Sequence, residues 1–181
     1  MFWTVVGGVG VVLAVAGAFL LLDSGPPAPA STLTTSVAAA PRATPEQMAA
    51  TLYNRVMMAS EAGDAPEAQR LVPEALRAYR NLGRQDLDTR YHLGLLHLTA
   101  LDLESARAER DAIAAESPTH LLGIMLSHTI ALESSDDEAA AAATGLFLDA
   151  YDPETSSGRG EYLEHRVGLE RFLERARATR P

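Results

Sequence analysis

Histidine is the side chain that titrates near neutral pH and ligates borderline metal ions. This chain holds five: His92, His97, His120, His128 and His165. A helical metal pair needs two of them three or four residues apart on one face. His92 and His97 are five apart and fall on different faces. No metal site is therefore expected; His128 is expected to fill a gap in the core and His120 to stand at a helix start. The chain has no cysteine, so thiolate nucleophiles, thiolate metal sites and disulfides are excluded. No serine sits in a glycine elbow. The acids Asp136, Asp137 and Glu138 lack the alternating ligand spacing of a calcium loop and read as a charged helix start. No catalytic residue and no cofactor is expected, and the chain reads as a non-enzyme.

What remains is architecture. Phe2 to Leu22 is one uncharged apolar run. About 20 such residues are enough to cross a bilayer core of ~30 Å. The expectation is a single transmembrane anchor over residues 1–22, in which Gly7-Gly8-Val9-Gly10 has no bearing on nucleotides; the rival is a cleaved signal peptide, against which stand the run's length and the absence of a basic residue before it. Within it Gly7, Gly10, Ala14 and Gly17 form a small-residue stripe suited to packing against another membrane helix. Residues 23–43, rich in proline, alanine, serine and threonine, read as a tether. A short N-terminal tail favours an inner-membrane, single-pass protein with its soluble part in the periplasm. Net charge is −9 and every basic side chain is arginine, which argues against nucleic acid as a partner.

From residue 44 onward the composition predicts an all-α domain. Thr44-Pro45-Glu46-Gln47 is a capping box with proline at the first helical position. Asp64 with Glu67, and Ser135 to Glu138, mark two more starts. Breaks are expected near Gly63, Gly83, Leu101-Asp102, Ser117-Pro118, Ser134 and Asp152-Pro153. The segments between them recur. Ala106 and Ala140 are 34 residues apart, as are Tyr91 and Met125. With a four-residue insertion at Gly83 to Asp86, Tyr53 matches Tyr91 and Ala68 matches Ala106. The middle unit carries Leu93-Gly94, then Ala106, then Pro118, each twelve residues after the last small or helix-ending residue.

On these residues the chain resembles the tetratricopeptide repeat family, with three units at about 49–82, 87–120 and 121–154. Departures are Leu52, Arg90 and Ile124 at the early aromatic position, Val56 and His128 at the glycine position, and Arg110 and Thr144 where a larger apolar residue is usual. The resemblance implies antiparallel helix pairs, Gly94 and Ala106 letting the two helices of a pair approach. Residues 155–181 read as a C-terminal cap, with Tyr162, Leu163, Val167, Leu169, Phe172 and Leu173 on its apolar side.

The resemblance also implies that ligands lie along the inner face of each unit's first helix. By register that face is Tyr53, Met57, Tyr91, Leu95, Leu98, Leu122, Met125 and Leu132, with Asp88, Thr99, Thr129 and Glu133 among them. It is apolar with few charges, and suits an apolar or amphipathic protein segment; the alternative is that these residues are core, or that the chain's own C-terminal helix fills the groove. The expected role is a membrane-anchored adaptor or scaffold assisting assembly of a membrane-associated complex. The alternative is a permanent accessory subunit, respiratory or photosynthetic, docked through its membrane helix.

Overall fold

The structure, a computed structural model, describes residues 43–179. The apolar run with Gly7, Gly10, Ala14 and Gly17, and the tether up to residue 42, lie outside the described residues. Among the described residues no helix is long and apolar enough to cross a membrane, and there are eight α-helices and no strand. The all-α expectation holds.

The first six helices form three hairpins: α1 (Pro45–Glu61) with α2 (Ala65–Arg80), α3 (Leu87–Thr99) with α4 (Leu103–Glu116), and α5 (Leu121–Glu133) with α6 (Asp137–Thr155). Two shorter segments follow, α7 (Gly160–Glu164) and α8 (Arg166–Thr179). Successive first helices pack on one another, α1 on α3 and α3 on α5, while α2 packs on α3 and α4 on α5. Helices α3 and α5 begin 34 residues apart, as do α4 and α6, so the register read from the sequence is also the register of the fold.

The hairpin turns show why the period persists. Gly63, Leu101 and Ser135 stand at equivalent positions, all with left-handed φ (76°, 61° and 55°). Each closes its helix with the same paired backbone bonds, such as Leu101 N–H to Leu98 O and Asp102 N–H to His97 O. The following residue is aspartate in all three, and its side chain accepts from the N–H three residues on: Asp64 from Glu67, Asp102 from Ser105, Asp136 from Ala139. One residue thus ends one helix and caps the next. Thr44 and Gln47 form the reciprocal capping box, with bonds of 2.9 and 3.2 Å.

The core falls into two clusters. One lies between α1 and α2 and takes Leu93 and Leu96 from α3. The other joins the opposite side of α3, through Leu87 and Tyr91, to α4, α5, α6 and the C-terminal segment. Helices α3 and α5 serve neighbours on both sides, so they lack a polar face.

Three local expectations need correction. Gly94 was assigned to close approach within its own hairpin, but a methyl placed there would collide with Leu126 of the next hairpin's α5. The glycine admits the neighbouring unit. Likewise a Cβ on Gly123 would lie 2.6 Å from Ile113. Second, α6 does not stop at Asp152-Pro153; it carries Pro153 inside it and ends at Thr155. Proline there costs only a last-turn N–H bond. Hydroxyls of Thr155 and Ser156 bond the carbonyls of Tyr151 and Asp152, each at 2.7 Å. Third, the apolar side of the cap is rotated. Leu163 (75% exposed) and Val167 (53%) face solvent, while Tyr162, Leu169, Phe172 and Ala176 are buried.

Gly94→Ala should therefore destabilise the protein, overpacking of about 1–3 kcal/mol outweighing the helix propensity of alanine. Gly145→Ala, in open space on α6, should instead stabilise it by about 0.5–1 kcal/mol. Opposite shifts of the thermal midpoint are the expected result.

Candidate functional site

The inner helices α1, α3 and α5, with Ala65, Ala68 and Gln69 at the start of α2, line a cleft of about 330 Å³. Its residues fall at repeat-equivalent positions. Met57, Leu95 and Thr129 form one row, Ser60 and Leu98 a second, and Thr99 and Glu133 a third. The C-terminal halves of three helices thus present the same turns to one hollow. Leu101, in the turn after α3, forms part of its rim and is 72% exposed.

Of the residues assigned to the groove by register, Met57, Leu95 and Leu98 line this cleft. Leu132, 53% exposed, lies on the same row as Ser60 and Leu98. Leu122 is fully buried and belongs to the core, and Met125 packs half-buried against that core. Tyr91 is buried, and its ring meets His165 edge-on with centroids 5.3 Å apart. Tyr53 is half-buried and sits edge-on to His92 at 4.4 Å. The N-terminal end of the inner face is therefore occupied by an aromatic cluster that the chain's own C-terminal segment completes. His128 does not fill a core gap; half-buried, it packs edge-on against Phe172 of α8 at 4.9 Å. His120 does stand at a helix start, as the N-cap residue of α5.

A network anchors that C-terminal segment. Tyr162 donates to Glu154 (2.8 Å) and accepts from the Leu121 N–H (3.1 Å), one of the free donors at the start of α5. Thr119 donates to the other Glu154 oxygen at 2.5 Å. Burial raises the Glu154 carboxyl, but the bonds from Thr119 and Tyr162 outweigh it and hold it below its ordinary pKa. His120, wholly buried, lies 3.1 Å from Glu161. Burial lowers its pKa despite that carboxylate.

This anchoring delivers His165, at the joint between α7 and α8, onto α3. Its Nε2 lies 2.7 Å from Oδ1 of Asp88. Nδ1 of His92, one turn along α3, lies 3.4 Å from Oδ2 of the same carboxylate and has no hydrogen-bond partner. The His92 and His165 rings are 5.1 Å apart. Burial raises the Asp88 carboxyl, yet His165 and then His92 outweigh that and hold it well below the carboxylate range. The surrounding phenols stay neutral: burial, reinforced by the Asp88 charge, pushes Tyr91 up to about 12. Burial likewise pushes Tyr53 and Tyr79 far above the usual phenol range.

Sequence reasoning found no such grouping because it compared histidines within one helix. Asp88 and His92 are spaced i, i+4, but His165 lies 77 residues from Asp88. The available signal was His165's place on the buried stripe, three residues after Tyr162 and four before Leu169. No protein-family model, no curated protein and no solved structure matches this chain.

Proposed function

We propose that this chain is a membrane-anchored, non-catalytic adaptor of tetratricopeptide-like build. Its cleft holds an apolar or amphipathic helical segment of a protein partner and thereby assists assembly of a membrane-associated complex. The observation that carries the reading is Leu101. It is a large apolar side chain, exposed at the rim of the cleft, in a left-handed conformation that costs a leucine about 1–2 kcal/mol. Glycine and serine hold the equivalent turns. Strain combined with apolar exposure at a concave site supports a contact residue.

The cleft also constrains the partner. Rows of Met57 and Leu95, then Leu98, suit apolar side chains repeating at helical spacing. Glu133 lies in the cleft lining, and no arginine stands between residues 121 and 154. The bound segment therefore carries lysine or arginine along one flank.

The test is site-specific photocrosslinking in membranes, with a benzophenone side chain replacing Leu98 or, as control, Val167. The expected result is one dominant protein adduct from position 98 and none from 167. Equal yields, or no adduct from 98, would overturn the reading. An adduct recovered in fixed stoichiometry after native extraction would mark the chain as a permanent subunit.

A further inference from the structure

We propose that Asp88, His92 and His165 form a binding site for a borderline divalent transition-metal ion, of which Zn²⁺ is the type, and that the ion fastens the C-terminal segment to α3.

The donor set comes first. One carboxylate and two imidazoles offer ligand atoms that all lie within 4.8 Å of one another. Zinc bound at about 2.0–2.1 Å by tetrahedral ligands puts those ligands roughly 3.3 Å apart. The His92 Nδ1 to Asp88 Oδ2 separation, 3.4 Å, already matches. His165 Nε2 lies closer, 2.7 Å from the other oxygen, Oδ1, so the carboxylate presents one oxygen to each imidazole. An ion replacing the proton between His165 and Asp88 needs an opening of only about half an ångström. Two imidazoles with one carboxylate suit zinc, nickel or cobalt; calcium and magnesium prefer oxygen-only shells.

The surroundings supply the remainder. Asp88 and His92 share one face of α3 at i, i+4, and the start of that helix is fixed by Asp86, whose side chain accepts from Thr89 N–H at 2.8 Å. Side-chain exposures of 22%, 12% and 20% for Asp88, His92 and His165 leave the donors largely stripped of water yet reachable. Tyr53, Tyr79 and Tyr91 cover His92 on its other sides, with ring separations of 4.4, 5.3 and 5.9 Å. The unpartnered Nδ1 of His92 gains the bond it lacks. A second hollow, of about 360 Å³, reaches Asp88 and is walled by Asp86, Glu116, Glu161 and Glu164 as well as by Arg84 and Arg159. Its acidic excess draws cations toward Asp88. The protein supplies three ligands, and water completes the shell.

The ion ties residues 88 and 165, so its binding stabilises α7 and α8 against detachment. Three measurements on the full, metal-stripped chain in detergent test this. Titration calorimetry with Zn²⁺ should give one site per chain. Co²⁺ should give the visible absorption of a low-coordinate site. Saturation at about 100 Kd should raise the thermal midpoint by roughly 5–10 °C. Asp88→Asn and His165→Gln, which keep side-chain volume, should each weaken Zn²⁺ binding by more than the roughly 10–100-fold that loss of a group merely supporting a ligand costs. Absence of the Co²⁺ band from the unmutated protein would overturn the proposal without any variant having to fold. Zn²⁺ binding that survives both substitutions would overturn it equally.

Discussion

Phe147→Ala is expected to cost about 3–5 kcal/mol, the usual range for emptying a fully buried aromatic site, and to lower the thermal midpoint by roughly 10–20 °C. Phe147 is wholly buried, with ring centroids 4.5 Å from Phe172 and 5.6 Å from Tyr151. Its repeat equivalents are Ala75 and Ile113, both equally inaccessible. The side chain grows along the stack. In the first two hairpins that position is covered by helices of its own and the next unit; in the last it must reach α8. Truncation there removes the floor on which Phe172 rests. Because the core of α1 and α2 is a separate cluster, the damage should be local. Hydrogen exchange should show α6 and α8 losing protection first while α1 and α2 keep theirs, as expected of a stack held by nearest-neighbour contacts. Uniform loss across all helices would show the two clusters to be one cooperative unit.

That gradient was not legible in the sequence, although the period that defines it was. Helix starts, the turns at Gly63, Leu101 and Ser135, and the 34-residue register rest on local rules: caps, left-handed turns and small residues at fixed spacing. Such signals need no knowledge of partners. The misread positions all depend on which helix lies opposite. Gly94 has Leu126 of α5 as its nearest neighbour, a contact invisible to any single-hairpin argument. In the cap, an apolar count admits Leu163 and Val167, but the stripe that packs is Tyr162, His165, Leu169, Phe172 and Ala176. Its spacing of three or four residues was present in the sequence; a histidine within it broke the apolar pattern.

The site divides along the same line. Met57, Leu95 and Leu98 line the cleft because the inner face follows from the register alone. Leu122 shares that register arithmetic but sits in the first turn of α5, where it is enclosed in the core. At Tyr91 the second of the two readings of this face applies, because the C-terminal segment folds over it. The pairing of Asp88 with His165 is tertiary, set by the Glu154, Tyr162 and Leu121 network that aims the joint between α7 and α8.

Leu101→Gly should separate stability from function. Glycine takes φ of 61° without strain, so relief of about 1–2 kcal/mol, less the backbone entropy that glycine loses on folding, leaves a net gain of about 0.5–1 kcal/mol. The same change deletes an exposed apolar side chain at the cleft rim. If the partner segment covers it, the loss is about 1.5–3 kcal/mol of burial, or roughly 10–100-fold in affinity. Ser135→Gly is the internal control: the same turn, φ of 55°, with no place in the cleft lining. It should raise the thermal midpoint by a similar few degrees and leave crosslinking from position 98 unchanged. A more stable Leu101→Gly protein that still captures its partner fully would reduce Leu101 to an unrelieved accident of the turn, and the adaptor reading would lose the observation that carries it. A more stable protein with partner capture sharply reduced is the expected result, because of the two strained turns only Leu101 sets a large apolar side chain at the cleft.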